Sequence, residues 1–162
     1  RQHSPEFYLV NLNGGLPLFD ILRIINGNVI EDSAIYFPTS SKIRDSKTIA
    51  QCCWENFFLE KMGESNKPRK IISLDEVVGG HSVERILNAY NSASRKVARK
   101  LYNLKSRDRV EEEASFLRSL FPLKIIGIKQ KNGSKPMSRA YTKNVKDKKI
   151  IEVHVKKNYN YG

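Results

Sequence analysis

The chain has 162 residues, of which 40% are hydrophobic and 28% charged, a composition typical of a folded domain that excludes a disordered tail. Its 29 lysines and arginines outnumber 17 acidic residues, and the formal net charge of +12 predicts attraction to polyanions. The two cysteines, Cys52 and Cys53, are adjacent, which excludes a disulfide scaffold and predicts core thiols in an intracellular reducing compartment. Nucleus, cytoplasm and mitochondrial matrix fit this prediction equally well. The sequence contains no apolar run of membrane-spanning length, so no membrane partner is expected.

The N-terminal residues predict a strand followed by a short helix. Residues 6–13 (EFYLVNLN) are rich in aromatic and branched side chains, and Gly14-Gly15 then provides a turn. Pro17 stands at the expected start of a helix and Gly27 just after its end. The apolar residues between them have helical spacing, which indicates a core helix.

A second strand and a second helix are predicted next. Residues 33–38 (SAIYFP) favour a short strand, and residues 46–63 carry a wide apolar stripe that includes Trp54 and Phe58. Such a stripe predicts a deeply buried helix. The polar segment 63–70 (GESNKPRK) is the best internal boundary, so the single domain 1–162 divides into an apolar N-terminal lobe, 1–66, and a basic lobe, 69–162.

The basic lobe begins with one long amphipathic helix, predicted over about 82–105. Apolar residues recur there at steps of three and four, which is the periodicity of a helix face. The predicted inward positions are Val83, Leu87, Tyr90, Ser94, Val97, Leu101 and Leu104. A further helical pattern ends at Pro122.

The last forty residues read as strands. The predicted strands are residues 123–130 (LKIIGIKQ), 135–144 (KPMSRAYTKN) and 148–157 (KKIIEVHVKK). The first and last alternate partly between apolar and polar side chains, and Asn132-Gly133 is a strong hairpin signal. The sequence therefore predicts an α+β fold: a single mixed domain with two or three helices and a small, largely antiparallel sheet that ends in a basic C-terminal hairpin.

Two basic segments are the candidate nucleic-acid contacts. On the long helix, no acidic residue stands between Arg85 and Arg107, whereas a solvated helix face normally mixes both signs of charge. A solvated face of a core helix remains the alternative interpretation. The helix candidates are Arg95, Lys96, Arg99, Lys100 and Lys105.

The predicted hairpin supplies the second basic segment. Lysines near its turn could follow phosphates, and an aromatic ring could stack on a base. Protection of an exposed strand edge by lysine is the alternative. The hairpin candidates are Lys129, Lys131, Lys135, Arg139, Tyr141 and Lys143.

These patterns favour a non-enzymatic domain that contacts nucleic acid within a larger nucleoprotein assembly. RNA is favoured over DNA, with recognition directed at the backbone or shape, because cations are abundant and base-reading motifs are absent. The expected partners are nucleic acid and other proteins of the assembly. No cofactor, metal site or catalytic residue is predicted.

Three other readings remain open. The chain could be a protein-protein adaptor in a ribosome-like or chromatin complex, docking through its apolar N-terminal half. A metal-independent ribonuclease could use His81 and His154, with Glu152 beside the latter. Gly79-Gly80 could present backbone amides to a phosphate, although a plain turn with Ser82 as the helix cap is favoured there.

Overall fold

The computed structural model describes residues 6–12, 16–27, 33–38, 45–64, 67–77, 79–130 and 136–155. Within these ranges there are five strands and five helices, and one or two helices connect each strand to the next. Their order is β1 (Phe7–Asn11), α1 (Leu16–Ile25), β2 (Ala34–Phe37), α2 (Ser46–Lys61), β3 (Ile71–Glu76), α3 (His81–Tyr102), α4 (Arg107–Leu120), β4 (Leu123–Gln130), α5 (Arg139–Lys146) and β5 (Ile150–Val155). No helix in the described ranges is both long enough and apolar enough to cross a membrane.

The five strands form one parallel sheet with the order β2-β1-β3-β4-β5. Tyr8 pairs with Ile72 of β3, and Ile126 of β4 pairs with Ile151 of β5. The chain moves outward from β1 to β2 and then returns across β1 to β3. This is the order of a doubly wound α/β fold, in which helices lie on both faces of the sheet.

The predicted α+β fold with a small antiparallel sheet and two or three helices is therefore wrong. Alternation of apolar and polar side chains has a period of two in parallel and antiparallel strands alike, so the pattern does not encode strand direction. The basic C-terminal hairpin is also wrong, because α5 connects β4 to β5 as a crossover and the two strands are parallel. Asn132 and Gly133 lie outside the described residues.

Neighbouring residues of β1 identify the two faces of the sheet. The Phe7 ring packs against Phe57 of α2, whereas the Tyr8 ring lies 6.1 Å from Phe19 of α1. Successive strand residues point to opposite faces, so α1 and α2 cover opposite sides. We call the side of α1 the α1 face and the side of α2 and α3 the helical face.

The main core lies on the helical face and is built from aromatic rings. Trp54 of α2 is at its centre, 4.8 Å from the Phe37 ring and 5.0 Å from the Tyr90 ring, measured between centroids. The Tyr90 hydroxyl donates a 2.7 Å hydrogen bond to the Phe121 carbonyl, and burial raises the pKa of this phenol. This bond ties α3 to the chain that enters β4.

The long helix is observed at His81–Tyr102, close to the predicted 82–105. Its predicted inward stripe is buried as far as Val97, but Leu101 is 41% exposed and Leu104 is only partly buried. A straight helix drifts by about 20° per heptad relative to a strict seven-residue repeat, so the stripe leaves the core. The prediction of core thiols is also wrong for Cys52, which is exposed, while Cys53 is half-buried.

Candidate functional site

The carboxyl ends of β1 and β3 form the topological switch point of the sheet. The chain leaves β1 toward α1 on one face and leaves β3 toward α3 on the other, although these strands are neighbours. Such diverging connections leave a crevice at the strand ends, and open α/β sheets bind ligands there.

Polar side chains end both strands at this point. Asn11 closes β1 and Asp75 stands one residue before the end of β3, and each is only 1% exposed. The Ser82 hydroxyl of α3 donates a 2.7 Å hydrogen bond to Asp75 Oδ2, while Oδ1 lies buried without a hydrogen-bond partner among the described residues. Burial raises the pKa of Asp75, and hydrogen bonds from Ser82 and Asn11 oppose that rise.

The first turn of α3 begins beside Asp75, and no side chain of the described residues caps it. Gly80 precedes the helix with a φ of 83°, in the left-handed region that favours glycine. Ser82, the predicted cap, instead lies within the first turn and bonds Asp75. The first amides of this helix of 22 residues therefore lie near the switch point and have no capping side chain among the described residues.

The start of α5 is fastened to the same turn. The Tyr141 amide donates to Glu84 Oε1 at 2.9 Å and to Ser138 Oγ at 3.1 Å. A Cβ added at Gly80 would lie 2.7 Å from atoms of Tyr141, and one added at Gly127 would lie 2.9 Å from its hydroxyl. Two glycines thus make room for this ring, which is 1% exposed. Burial, with nearby Glu152 and Asp75, raises the pKa of Tyr141.

The structure divides the predicted basic helix into two parts. Arg95 pairs with Glu111 of α4 at 2.6 Å, and Lys96 pairs with Glu55 of α2 at 2.9 Å. No acid stands between Arg85 and Arg107 in the sequence, so the carboxylates that pair with these two cations come from neighbouring helices. The cations farther along, Arg99, Lys100 and Lys105, are exposed and form no salt bridge with the described part of the chain.

These unpaired cations surround the turn of a helical hairpin. Ser94 bonds Arg118, while Arg95, one residue later, bonds Glu111, so α3 and α4 run antiparallel. Their connection at residues 103–106 is flanked by exposed Arg99, Lys100, Arg107 and Arg109 and includes Lys105. The length of α3, about 33 Å for its 22 residues, separates this turn from the switch point.

The residues assigned to the C-terminal hairpin lie in different surroundings. Lys129 is within 3.8 Å of Glu152, Arg139 and Lys143 are exposed on α5, and the buried Tyr141 has no free face for a base. Lys131 and Lys135 lie outside the described residues. Because the Ser138 amide donates to the Gly79 carbonyl, Arg139 is near the start of α3 and far from the α3–α4 turn.

The histidines of the ribonuclease alternative contact different acids. His154 Nε2 lies 3.2 Å from Glu152, and His81 Nδ1 lies 3.8 Å from Glu84. No group of three or more His, Cys, Asp or Glu side chains in the described ranges has an arrangement that would hold a metal ion.

The switch-point residues Asn11 and Asp75 were not among the predicted site residues, and Gly80 was considered only in the phosphate alternative for Gly79-Gly80, where a plain turn was favoured. The available signal was local: acidic Asp75-Glu76 directly follows the apolar run IISL, and a glycine pair follows shortly after. Its meaning depends on β1 lying beside β3, a pairing that joins segments sixty residues apart.

Comparison of the chain with models of protein families, with curated proteins and with solved structures found no match.

Proposed function

We propose that the protein binds a phosphorylated small molecule, such as a nucleotide or a sugar phosphate, at the switch point between β1 and β3. The observation that carries this proposal is the uncapped first turn of α3, placed beside Asp75 at the crevice of a doubly wound sheet. Ligands of such sheets bind at this position, and helix N-termini favour phosphate through free amides and the helix dipole.

Each part of the site has a separate role in this proposal. The first amides of α3 receive the phosphate. Exposed Glu76, the last residue of β3, accepts hydrogen bonds from hydroxyl groups of a sugar, as acids at strand ends do in dinucleotide sites. Asp75 is a positioning residue, because it is buried and holds Ser82.

Isothermal titration calorimetry of the full chain tests this proposal with AMP, ribose 5-phosphate and unphosphorylated adenosine. We expect the two phosphorylated compounds to bind and adenosine to bind at least about tenfold more weakly, a difference of about 1.4 kcal/mol. Equal binding of adenosine and AMP, or no binding of either phosphorylated compound, would contradict it.

A matched pair of variants at Gly79 locates the phosphate. A Cβ there would make only ordinary contact with the His81 ring at 3.5 Å, so Gly79→Ala should fold and bind as the parent protein does. Gly79→Asp adds a carboxylate at the positive end of the α3 dipole, where it competes with phosphate. We expect Gly79→Asp, but not Gly79→Ala, to lower the affinity for phosphorylated compounds by about tenfold or more. Equal affinities of the two variants would mean that the phosphate binds elsewhere.

We propose as a second function that the α3–α4 turn contacts the phosphate backbone of nucleic acid, with RNA favoured. The supporting observation is the group of exposed cations at this turn, which no described carboxylate neutralises. Contacts of this kind provide affinity without sequence preference and depend strongly on salt.

A salt titration with single-stranded RNA and duplex DNA tests the second function. Replacing Arg99, Lys100 and Lys105 by Gln should lower the slope of log affinity against log salt by about 2 to 3. The control changes Arg95 and Lys96 to Gln, because these cations already pair with carboxylates and should alter the slope less. Equal effects of both sets would indicate attraction by net charge alone.

A further inference from the structure

Helix α1 is apolar on two sides, namely the side that packs on the sheet and the outer side. Phe19 contacts the rings of Tyr8 and Tyr36, whereas Ile21, Ile24 and Ile25 lie between about 140° and 240° around the helix from Phe19. These isoleucines are 55%, 74% and 73% exposed. A helix that is apolar all round is normally buried on both sides, so α1 has the character of an interior helix.

Beside α1, the same face of the sheet is open. The register places Ile126 next to Ile151 and Ile128 next to Val153, and alternation directs all of these side chains, with Val155, to the α1 face. Ile151, Val153 and Val155 are exposed, and no helix of the described residues covers them. We call this surface of β4 and β5 the ledge. Parallel sheets are normally covered on both faces, so the ledge requires a covering element.

We propose that a second copy of this chain covers the α1 face, in a twofold symmetric dimer in which α1 of each copy lies on the ledge of the other. A projecting helix beside an open apolar ledge is self-complementary, which is the requirement of a twofold interface. The lengths agree, because the ten residues of α1 span about 15 Å and the six of β5 about 20 Å. This inference is independent of the proposed functions.

The distribution of charge favours a second copy despite the net charge of +12. The cations of the α3–α4 turn and the paired Arg95 and Lys96 belong to the helical face, on the other side of the sheet. On α1 the charged residues are Asp20 and Arg23, which are 3.9 Å apart and opposite in sign. Exposed Lys124 lies on the α1 face, because the register pairs it with Ile72, but two copies that meet through these faces keep the basic surfaces of the helical face apart.

The extent of the surface also favours the reciprocal arrangement. A standard protein interface buries about 800 Å² on each partner, from roughly 20 to 30 residues. The ten residues of α1 or the ledge alone provide fewer than this. Contact between α1 and the ledge, repeated by the twofold axis, uses both areas on each copy and comes closer to this size than either area alone.

Sedimentation equilibrium of the full chain over micromolar concentrations tests the proposal. We expect a dimer of twice the 18.6 kDa chain mass, and a monomer for Ile24→Glu and for Val153→Glu separately. Both residues are exposed in one copy, so thermal unfolding of dilute samples should show folded variants. The control is Phe116→Glu, at an apolar residue of α4 whose exposure lies between those of Ile24 and Val153, which should leave the dimer intact.

A charge-swap variant distinguishes this dimer from others. Ile24→Glu combined with Val153→Lys places opposite charges on the two reciprocal surfaces, so the double variant should dimerise again at low salt. A parent chain that stays monomeric throughout, or a dimer insensitive to Ile24→Glu and Val153→Glu, would overturn the proposal. In the first case another segment or another protein covers this face.

Discussion

The two faces of the sheet differ in how their covering helices are built. On the helical face, α2 and α3 direct aromatic and aliphatic side chains inward and present Glu55, Lys96 and Arg99 outward. On the α1 face, the one helix that the described ranges contain is apolar inward at Phe19 and outward at Ile24. An apolar outer side is better suited than a polar one to contact with another chain, and this difference is the basis of the proposed dimer.

The same comparison separates the roles of charge. Cations on the helical face are partly neutralised by acids from neighbouring helices, as Arg95 is by Glu111. The remaining cations are concentrated at the α3–α4 turn, and the proposed anion site lies at the opposite end of α3. Net charge alone therefore does not locate a binding surface. The surface is located by finding which charged side chains lack a partner of opposite charge.

The largest expected difference between the two faces is in the stability that is lost when one apolar side chain is replaced by alanine. Phe58→Ala removes a ring with no exposure that packs against Trp54 and Tyr90, and it should lower the free energy of unfolding by about 3 to 5 kcal/mol. Ile25→Ala on the outer side of α1 should change it by less than about 0.5 kcal/mol in dilute monomer. Urea titrations followed by Trp54 fluorescence measure both, and comparable losses would mean that α1 is covered within one chain.

The next effect concerns the glycine under Tyr141. A Cβ at Gly127 would lie 2.8 Å from Val77 Cγ2 and 2.9 Å from the Tyr141 hydroxyl, so Gly127→Ala should cost about 1 to 3 kcal/mol. Tyr141→Phe removes one of these two contacts. The double variant should therefore lose less stability than the two single variants lose when their losses are added. Gly63→Ala is the control, with nothing within 4 Å of the added methyl group. Strict additivity would show that the ring and the glycine are not coupled.

A smaller change is expected at Asp75, where a substitution should raise the stability of the folded protein instead of lowering it. Burial raises the pKa of this carboxyl above its ordinary 3.8, so the folded protein favours the protonated form and loses stability as pH rises from 3.8 through the folded pKa. Asp75→Asn should therefore be more stable than the parent at neutral pH, and the difference should vanish in acid. Thermal unfolding against pH measures it, with exposed Glu112→Gln as the control. A variant less stable at neutral pH would show that Ser82 and Asn11 outweigh burial.

The smallest effect is expected at the paired cations of the helical face. The hydrogen bond from Arg95, followed by that from Arg118, lowers the pKa of Glu111 below its ordinary 4.5. The pair stabilises the fold above pH 4.5, and its contribution is lost as pH falls through the lower folded pKa. Because these side chains are half exposed, Glu111→Gln should cost no more than about 1 kcal/mol at neutral pH. High salt should reduce the loss, and a salt-independent loss would point to packing instead.

Local periodicity predicted several elements correctly. The apolar stripe of α3 indicated a helix within a few residues of His81–Tyr102, and the apolar stripe of α2 indicated the burial of Trp54 and Phe58. Residues 33–38 and 6–13 contain the observed β2 and β1. These features depend on contacts between residues two to four apart, which the sequence displays directly.

The sequence by itself thus determined the composition, the positive charge, most helices and strands and the centre of the core. Only the tertiary structure decided that the strands are parallel, that residues 139–146 form a helix between β4 and β5, and that Arg95 and Lys96 meet acids from α4 and α2. It also brought Asn11 beside Asp75 and left Ile24 exposed. The physical reason is that strand direction, ion pairing and surface exposure depend on residues far apart in the chain, whereas the local pattern of side chains is the same whichever distant segments meet.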